Sequence, residues 1–439
     1  MIQRHYICID LKSFFASVEC VERGLDPMTT KLVVADPDRS SNTICLAVSP
    51  AMKRNGVRNR CRVGEIPPSL EYIIAKPRMQ KYIDYAARIY GIYLNYISKD
   101  DIHVYSIDEA FMDVTAYLEL YRCTPRELGR RIMQSVLDLT GIRATCGVGT
   151  NLYLTKIALD ITAKHSPDFI GELDEESYRA TLWKHRPLTD FWRVGYGIAS
   201  RLATYGIYTM EDIARTDENF LYRLFGVDAE LLIDHAWGRE PVTISDIHNY
   251  HSRTQCLSSG QILMSDYPFD KGRLIVKEMM DVLCLDMIKK GVVTDSVSLS
   301  ITYSGTDVAT AMQPRTRRPD LPAGTPSGYA RGTTSLSATT SSAAEWLPAI
   351  AALYDRIVDP SRPIRRVGIT CNNIVHEQYH QMDMFLDTAE AEKQRRLQSA
   401  MLNIQSRFGK DAMLRGMNLE EGAMTRIRNH QIGGHSSGE

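Results

Sequence analysis

The chain has 439 residues, 44% hydrophobic and 24% charged, with a formal net charge of −1 at pH 7. That length is about three times a common domain length of ~150 residues. The balance is that of an ordinary globular protein, which excludes a wholly disordered chain and a disulfide-stapled miniprotein. No stretch approaches the ~20 unbroken apolar residues of a membrane span. The start, Met1-Ile2-Gln3-Arg4-His5, has no signal-peptide layout, so a cytoplasmic location without a membrane partner is expected. Nine cysteines, an odd number with no Cys-x-x-Cys pair, indicate reduced buried thiols rather than a disulfide framework or a zinc site. The near-neutral charge taken alone weighs against a polyanionic partner. It conceals a local run, however: Lys53, Arg54, Arg58, Arg60 and Arg62, with no acid among them.

In chain order, His5 to Asp10 is a nearly continuous apolar run, the pattern of a strand buried on both faces, and it ends in an acid. Phe14, Phe15, Val18 and Val21 then recur at helical spacing. Lys31–Ala35 and Thr43–Val48 read as two strands, and Gln80–Ser98 as an amphipathic helix. His103–Val114 reads as a β-hairpin with Asp108 and Glu109 at or near its tip. A helix from Arg126 to Leu139, a strand from Arg143 to Gly149 and a helix capped by Asn151 and running to about Ala163 complete a compact α+β layer. Residues 170–240 are helical throughout in pattern, punctuated by Gly195, Gly197, Gly206, Gly226 and Gly238. Strand and helix alternation resumes from about 250 to 376, with a helix over Asp270–Lys290 and strands over Ser298–Tyr303 and Arg365–Cys371. The Pro/Gly/Ser/Thr-rich stretch from Pro314 to Ser342 is a flexible loop in its first half, Pro314–Ser327, with room for an edge strand over Tyr329–Ser337. A charged helical segment, Thr388–Arg407, lies in the polar C-terminal region, and no internal repeat is apparent.

Three acids centre the chemistry. The layer brings Asp10, Asp108 and Glu109 to one sheet edge, where mutual repulsion and burial would raise their pKa values. Divalent cations resolve that conflict: two hard ions ~4 Å apart on oxygen ligands form the clamp of in-line phosphoryl displacement. The bland alternative has Asp10 capping the next helix while Asp108-Glu109 merely occupies a turn.

The flanking residues decide between these. Asp10-Leu-Lys-Ser-Phe-Phe-Ala-Ser-Val-Glu19 and Ser106-Ile-Asp-Glu-Ala110 resemble the two catalytic motifs of the Y-family translesion DNA polymerases. Gly147-Val-Gly-Thr-Asn151, followed by Lys156, resembles that family's third motif. The likeness runs in order to about residue 376 and is closest to the UmuC-like, UV-damage-repair branch of Gram-positive bacteria. It implies a multidomain α+β right-hand polymerase with a ferredoxin-like palm (1–14 and 78–168), small fingers (15–77), a helical thumb (169–242), a linker (243–250), an α/β little finger (251–376) and a tail (377–439).

The resemblance also implies roles. Asp10, Asp108, Glu109 and the carbonyl of Leu11 would hold two Mg2+ ions, for which Mn2+ would substitute. The amides after Asp10, with Ser13, Phe14 and Phe15, lie where the family contacts the nucleotide, and Phe15 matches the steric gate beneath the sugar. The family's fingers carry a Tyr and an Arg on the triphosphate; here Pro50 or Ser49 stands for the Tyr and Lys53 for the Arg, so a point charge replaces a bidentate fork. Lys164 matches a further triphosphate lysine, although His165-Ser-Pro167 follows it in place of an immediate Pro. Gly195 and Gly197, in Val194-Gly-Tyr-Gly-Ile198, resemble the helix-hairpin-helix that holds a DNA phosphate. Arg365 and Arg366 begin a strand where relatives follow the DNA backbone, with charge protection of an edge strand as the alternative. Gln381-Met-Asp-Met-Phe385 resembles the sliding-clamp-binding pentapeptide, with Gln381, Met384 and Phe385 as its anchors. The implied partners are primer-template DNA, a dNTP and the bacterial sliding clamp, acting with a monomeric enzyme. A nucleotidyl cyclase, or a non-catalytic clamp-bound subunit, would share some of these features; the first leaves the later segments unexplained and the second predicts loss of an acid.

Overall fold

The computed structural model describes residues 3–38, 41–251, 256–305, 328–377 and 388–438. The chain divides into two compact units, Met1–His251 with Ser437–Glu439, and Ser252–Ser436.

The first unit is organised by a five-stranded sheet in the order β5-β6-β1-β7-β8. Its strands are β1 (Tyr6–Leu11), β5 (Ile102–Val104), β6 (Glu109–Asp113), β7 (Ala144–Gly149) and β8 (Ile170–Leu173). A smaller sheet is built from β2 (Leu32–Val34), β3 (Ala47–Val48) and β4 (Ile73–Ala75) in the order β3-β2-β4. In the large sheet β1 lies antiparallel to both β6 and β7, and its alternate side chains enter two different cores, Ile7, Ile9 and Leu11 in one and Tyr6 and Cys8 in the other, as the continuous apolar run requires. The helices Phe14–Val21 and Pro125–Thr140 complete a βαββαβ unit whose four strands run 4-1-3-2, the ferredoxin-like order. Pro125–Thr140 begins in a capping box between Thr124 and Glu127 and ends at Gly141, in the left-handed region at φ 71°.

β8 departs from the all-helical reading of 170–240. Four residues, Ile-Gly-Glu-Leu, are too few to display a period, and their strand character comes from parallel pairing with β7. The expected strand over Thr43–Val48 shrinks to Ala47–Val48 plus an isolated bridge between Ile44 and Arg62, and the expected helix over Gln80–Ser98 is Met79–Leu94. Short helices from Glu175 to Trp237 pack with Tyr153, Leu154 and Ile157 in a second core around Tyr178, Phe191, Leu202 and Leu221, while Ile244 of the helix Ile244–Asn249 packs with Tyr6, Cys8 and Phe111.

The second unit is again βαββαβ: β9 (Leu257–Tyr267), the helix Phe269–Lys290, β10 (Val292–Tyr303), β11 (Tyr329–Thr340), the helix Ala343–Ile357 and β12 (Ile364–Asn372). The strand order is different, β11-β10-β12-β9. β11 is an edge strand and β12 is interior. The helix Thr388–Phe408 and the segment beyond it belong to this unit. Buried Glu278 accepts from Asn418 Nδ2 at 2.9 Å and the Met424 amide at 2.8 Å, and Asp281 holds Arg415 at 2.7 Å. The segment from Arg415 to Met424 is thereby tied to the helix Phe269–Lys290. The loop Pro314–Ser327 and the pentapeptide Gln381–Phe385 lie outside the described residues.

Candidate active site

Asp10 is the next-to-last residue of β1 and Glu109 begins β6, and the two are direct cross-strand partners. The Leu11 amide donates to the Asp108 carbonyl at 2.9 Å, so main-chain pairing fixes all three acids at one edge. The alternative in which Asp10 caps the following helix does not hold: the N-cap of Phe14–Val21 is Ser13, and no side chain caps it. Ser13 sits at φ 50°, a left-handed conformation uncommon for serine, and its buried hydroxyl has no partner.

Burial first, then the charges of Asp108 and Glu109, push Asp10 up to about 7. Glu109 is also raised by burial, against the opposing pull of Lys156. Lys156 Nζ lies 2.8 Å from Oε1 of Glu109 and 3.1 Å from Oδ2 of Asp160, four residues along its own helical stretch. Burial alone would lower this lysine, but Glu109 and Asp160 hold it above its ordinary range. The Cys8 thiol donates to Glu109 Oε1 at 3.2 Å, and the Ser106 hydroxyl donates to Asp108 Oδ1 at 2.6 Å. The Gly147-Val-Gly149 motif has a steric reason. A Cβ on Gly147 would lie 2.1 Å from the Thr155 carbonyl oxygen, and one on Gly149 would lie 2.4 Å from the Thr155 amide nitrogen. Only glycine lets the Lys156 helix approach β7 closely enough to reach Glu109.

Three lysines gather about the acids. Burial, then Lys53, Lys164 and Arg143, pull Lys12 below its ordinary range, with Asp10 opposing. Lys53 is likewise lowered by burial and by Lys164, with Asp10 and Asp108 opposing. Lys53 and Lys164, far apart in sequence, therefore share one electrostatic neighbourhood with Asp10. Lys12, whose ammonium lies 4.1 Å over the Phe169 ring, joins them. Sequence names Lys156 as part of the third motif without giving it a partner, and it gives Lys12 no role; the available signals are a Lys-Asp pair at helical spacing and a lysine two places after the acid of β1.

Two of the residues expected near the nucleotide, Ser49 and Phe14, have side chains engaged inside the protein. Ser49 is fully buried: its hydroxyl donates to the Thr30 carbonyl at 2.7 Å and accepts from the Leu32 and Met52 amides, capping the helix Pro50–Arg54. No part of that hydroxyl is left for a phosphate. The Phe14 ring is 2% exposed and belongs to the core. Phe15, by contrast, is half-buried and stacks on Tyr82 at 4.5 Å between centroids and 15° between planes. Tyr82 donates to buried Glu19 at 2.7 Å, and Arg78 grips the same carboxylate through two nitrogens at 2.8 and 2.9 Å.

Gly195 is the N-cap of the helix Tyr196–Ala203, and both Gly195 and Gly197 are exposed. In the second unit, edge protection fails as an account of Arg365 and Arg366, because β12 is flanked on both sides, by β10 and β9. Arg365 donates to the Met264 carbonyl at 3.2 Å and stands 3.8 Å from Asp266.

Among the described residues, no three His, Cys, Asp or Glu side chains already close around a metal ion. Glu109 accounts for this, since its carboxylate is turned onto Lys156 and Cys8. The donor set nevertheless suits hard divalent ions in kind and charge: all carboxylate, clustered, with Asp10 raised by burial and by its two acidic neighbours.

A ferredoxin-like sheet with acids at the β1/β6 edge and lysines beside them defines a palm of the nucleotidyl-transferring type. The chain matches the impB/mucB/samB family over residues 9–160 and that family's C-terminal domain over residues 258–384, and it belongs to that family, the Y family of DNA polymerases. It is 28% identical to a Bacillus subtilis (strain 168) protein named for UV-damage repair, UvrX, across 99% of this chain and 98% of the relative. It is 29% identical to DNA polymerase IV 2 of the same organism, across 99% of both chains. Among solved structures, the Y-family DNA polymerase chimera Dbh-Dpo4(243-245)-Dbh shares its fold at a TM-score of 0.62 and 20% identity, covering 84% of this chain and 99% of that one. No helix among the described residues is long and apolar enough to cross a membrane.

Proposed function

We propose that this chain is a template-directed DNA polymerase of low fidelity that inserts deoxynucleotides opposite damaged template bases, working as a cytoplasmic monomer. The observation that carries the reading is the joining of an acidic cluster, Asp10, Asp108 and Glu109, to a lysine cluster, Lys12, Lys53 and Lys164, in one electrostatic neighbourhood. Such a pairing suits a substrate that carries both metal ions and a triphosphate. The regions would act as palm (1–14 and 78–168), fingers (15–77), thumb (169–242) and little finger (251–376).

Asp10, Asp108, Glu109 and the Leu11 carbonyl would hold two Mg2+ ions, or Mn2+ in their place, which supply Lewis-acid activation of the primer hydroxyl and neutralise the leaving pyrophosphate. The protein's own part is positioning. Main-chain pairing of β1 with β6 holds the acids, and Lys156 supplies Glu109 with a counter-charge that opposes the effect of its burial. The free amides after Ser13, with Lys12, Lys53 and Lys164, would take the triphosphate oxygens, and the half-buried face of Phe15 would lie under the sugar. Gly195 and Gly197 would hold a DNA phosphate through main-chain amides, and Arg365 and Arg366 would add backbone contacts. Gln381, Met384 and Phe385 would anchor the enzyme to a sliding clamp, raising its effective concentration at the primer end.

The test is primer extension with magnesium on intact and damaged templates, comparing wild type with Asp108→Ala. Loss of nucleotide addition in the variant, with DNA binding retained, is the expected result. Activity of Asp108→Ala within about tenfold of wild type would overturn the two-metal assignment, and activity without DNA would favour a cyclase.

A further inference from the structure

Trp192 stands just before the glycine turn Val194–Gly197, yet its indole faces the acidic hairpin. Its Nε1–H donates to the Tyr105 hydroxyl at 3.1 Å, and the two rings meet edge to face at 5.9 Å and 79°. The same indole packs against Phe111 of β6 at 6.2 Å and lies parallel to His235 at 6.1 Å and 16°. The Arg193 guanidinium covers it at 5.1 Å. Arg193 is itself at φ 71°, a left-handed conformation that a non-glycine residue adopts only when its surroundings impose it.

Tyr105 is the other half of the contact. Its amide and that of Ser106 donate to the Glu109 carbonyl at 3.0 and 3.1 Å, closing the turn that carries Asp108 and Glu109. Its ring meets Phe111 edge to face at 5.8 Å, and the Lys156 ammonium stands 5.9 Å from its centroid. Tyr105 is 45% exposed, and the indole N–H adds a directional tether at its hydroxyl to the ring's contact with Phe111. A continuous set of contacts thus runs from the glycine turn through Trp192 and Tyr105 to the main chain of Glu109.

We propose that Trp192 is a positioning residue which, through Tyr105, ties the turn that seats a DNA phosphate to the turn that carries Asp108 and Glu109, so that seated DNA steadies the catalytic acids. The proposal rests on the polymerase reading above. Trp192 reaches the hairpin through its hydrogen bond to Tyr105 and its packing on Phe111.

The experiment compares wild type, Trp192→Phe, Tyr105→Phe and the double variant as full-length chains. Three quantities are read: kcat and KM for single-nucleotide insertion, the Kd for primer-template, and hydrogen exchange of residues 102–113 with and without primer-template. Each single variant should lower kcat by about five- to tenfold while leaving KM and Kd within about twofold. The double variant should be no worse than either single, because both remove one hydrogen bond. Primer-template should protect residues 102–113 in wild type and not in the variants. Additive losses, a weakened Kd at unchanged kcat, or protection that persists in the variants would overturn the proposal. If Trp192→Phe does not fold, the surface change Tyr105→Phe decides the matter alone. A wild type that binds DNA without extending a primer would overturn the polymerase reading, and the exchange measurement would still decide the tether.

Discussion

Lys156 Nζ lies between the two carboxylate oxygens of Glu109, 2.8 Å from Oε1 and 2.9 Å from Oε2, with both side chains only 9% exposed. This pair is an internal counter-charge at the centre of the acidic edge. Removing one partner leaves the other buried and uncompensated, which costs about 3–5 kcal/mol in such settings. Lys156→Met should therefore destabilise the protein by roughly that amount at pH 8 in urea denaturation. The loss should shrink at pH 5, where the exposed need for a counter-charge is met by protonating Glu109. The double change Lys156→Met with Glu109→Gln should recover most of the stability; failure to recover would show that Lys156 acts mainly through Asp160.

Asp10 gives a pH dependence of definite sign. Its folded pKa of about 7 lies above the ordinary 3.8, so the folded state binds this proton more tightly than the unfolded chain. Its ionisation then opposes folding progressively from about pH 4 to pH 7 and no further above that. Relative to Asp10→Asn, wild type should lose stability across that window, by at most about 4 kcal/mol for a shift of about three pKa units. Magnesium should stabilise wild type more at pH 8 than at pH 5.5, and chelation should reverse the gain. Thermal melts of both proteins across pH, with and without the ion, check this; curves for wild type and Asn variant that stay parallel would remove the assignment.

Phe15→Ala should open space beside Tyr82 and raise ribonucleotide incorporation relative to deoxyribonucleotide, by about tenfold or more. Single-nucleotide kinetics with matched dNTP and rNTP measure the ratio. An unchanged ratio would make Phe15 a packing residue for Tyr82, with which it stacks at 4.5 Å.

Primer-template affinity should fall steeply with salt despite the net charge of −1. Each arginine that neutralises a phosphate contributes about one to the slope of log K against log salt. Arg366→Ala should reduce that slope by about one. Arg365→Ala should reduce it less, since Asp266 at 3.8 Å already offsets part of its charge. Equilibrium binding at several salt concentrations distinguishes the two.

Local pattern carried much of this protein. The apolar run into Asp10, the acids beside a hairpin turn, the Asn151 cap and the helix over Phe269–Lys290 were legible because each depends on neighbours a few residues away. The three carboxylates were legible for the same reason, being ends of short elements with characteristic flanks. Other features depend on partners distant in sequence. β8 is a strand because β7 offers it hydrogen bonds, and β12 is interior because β9 returns to cover it. Ser49 looked available from its motif, but three main-chain groups, two of them more than fifteen residues away, consume its hydroxyl. Lys12 joins Lys53 and Lys164 near Asp10, and Trp192 reaches Tyr105, 87 residues away, only when the sheet and the helical segment have folded. Local pattern in the sequence determined the strand-and-turn setting of the acids, because backbone propensity and apolar period are local, and the resemblance of their flanking motifs singled the acids out. Tertiary structure decided which lysines surround the acids, which hydroxyls are spent and what braces the hairpin, because burial and charge compensation act through space.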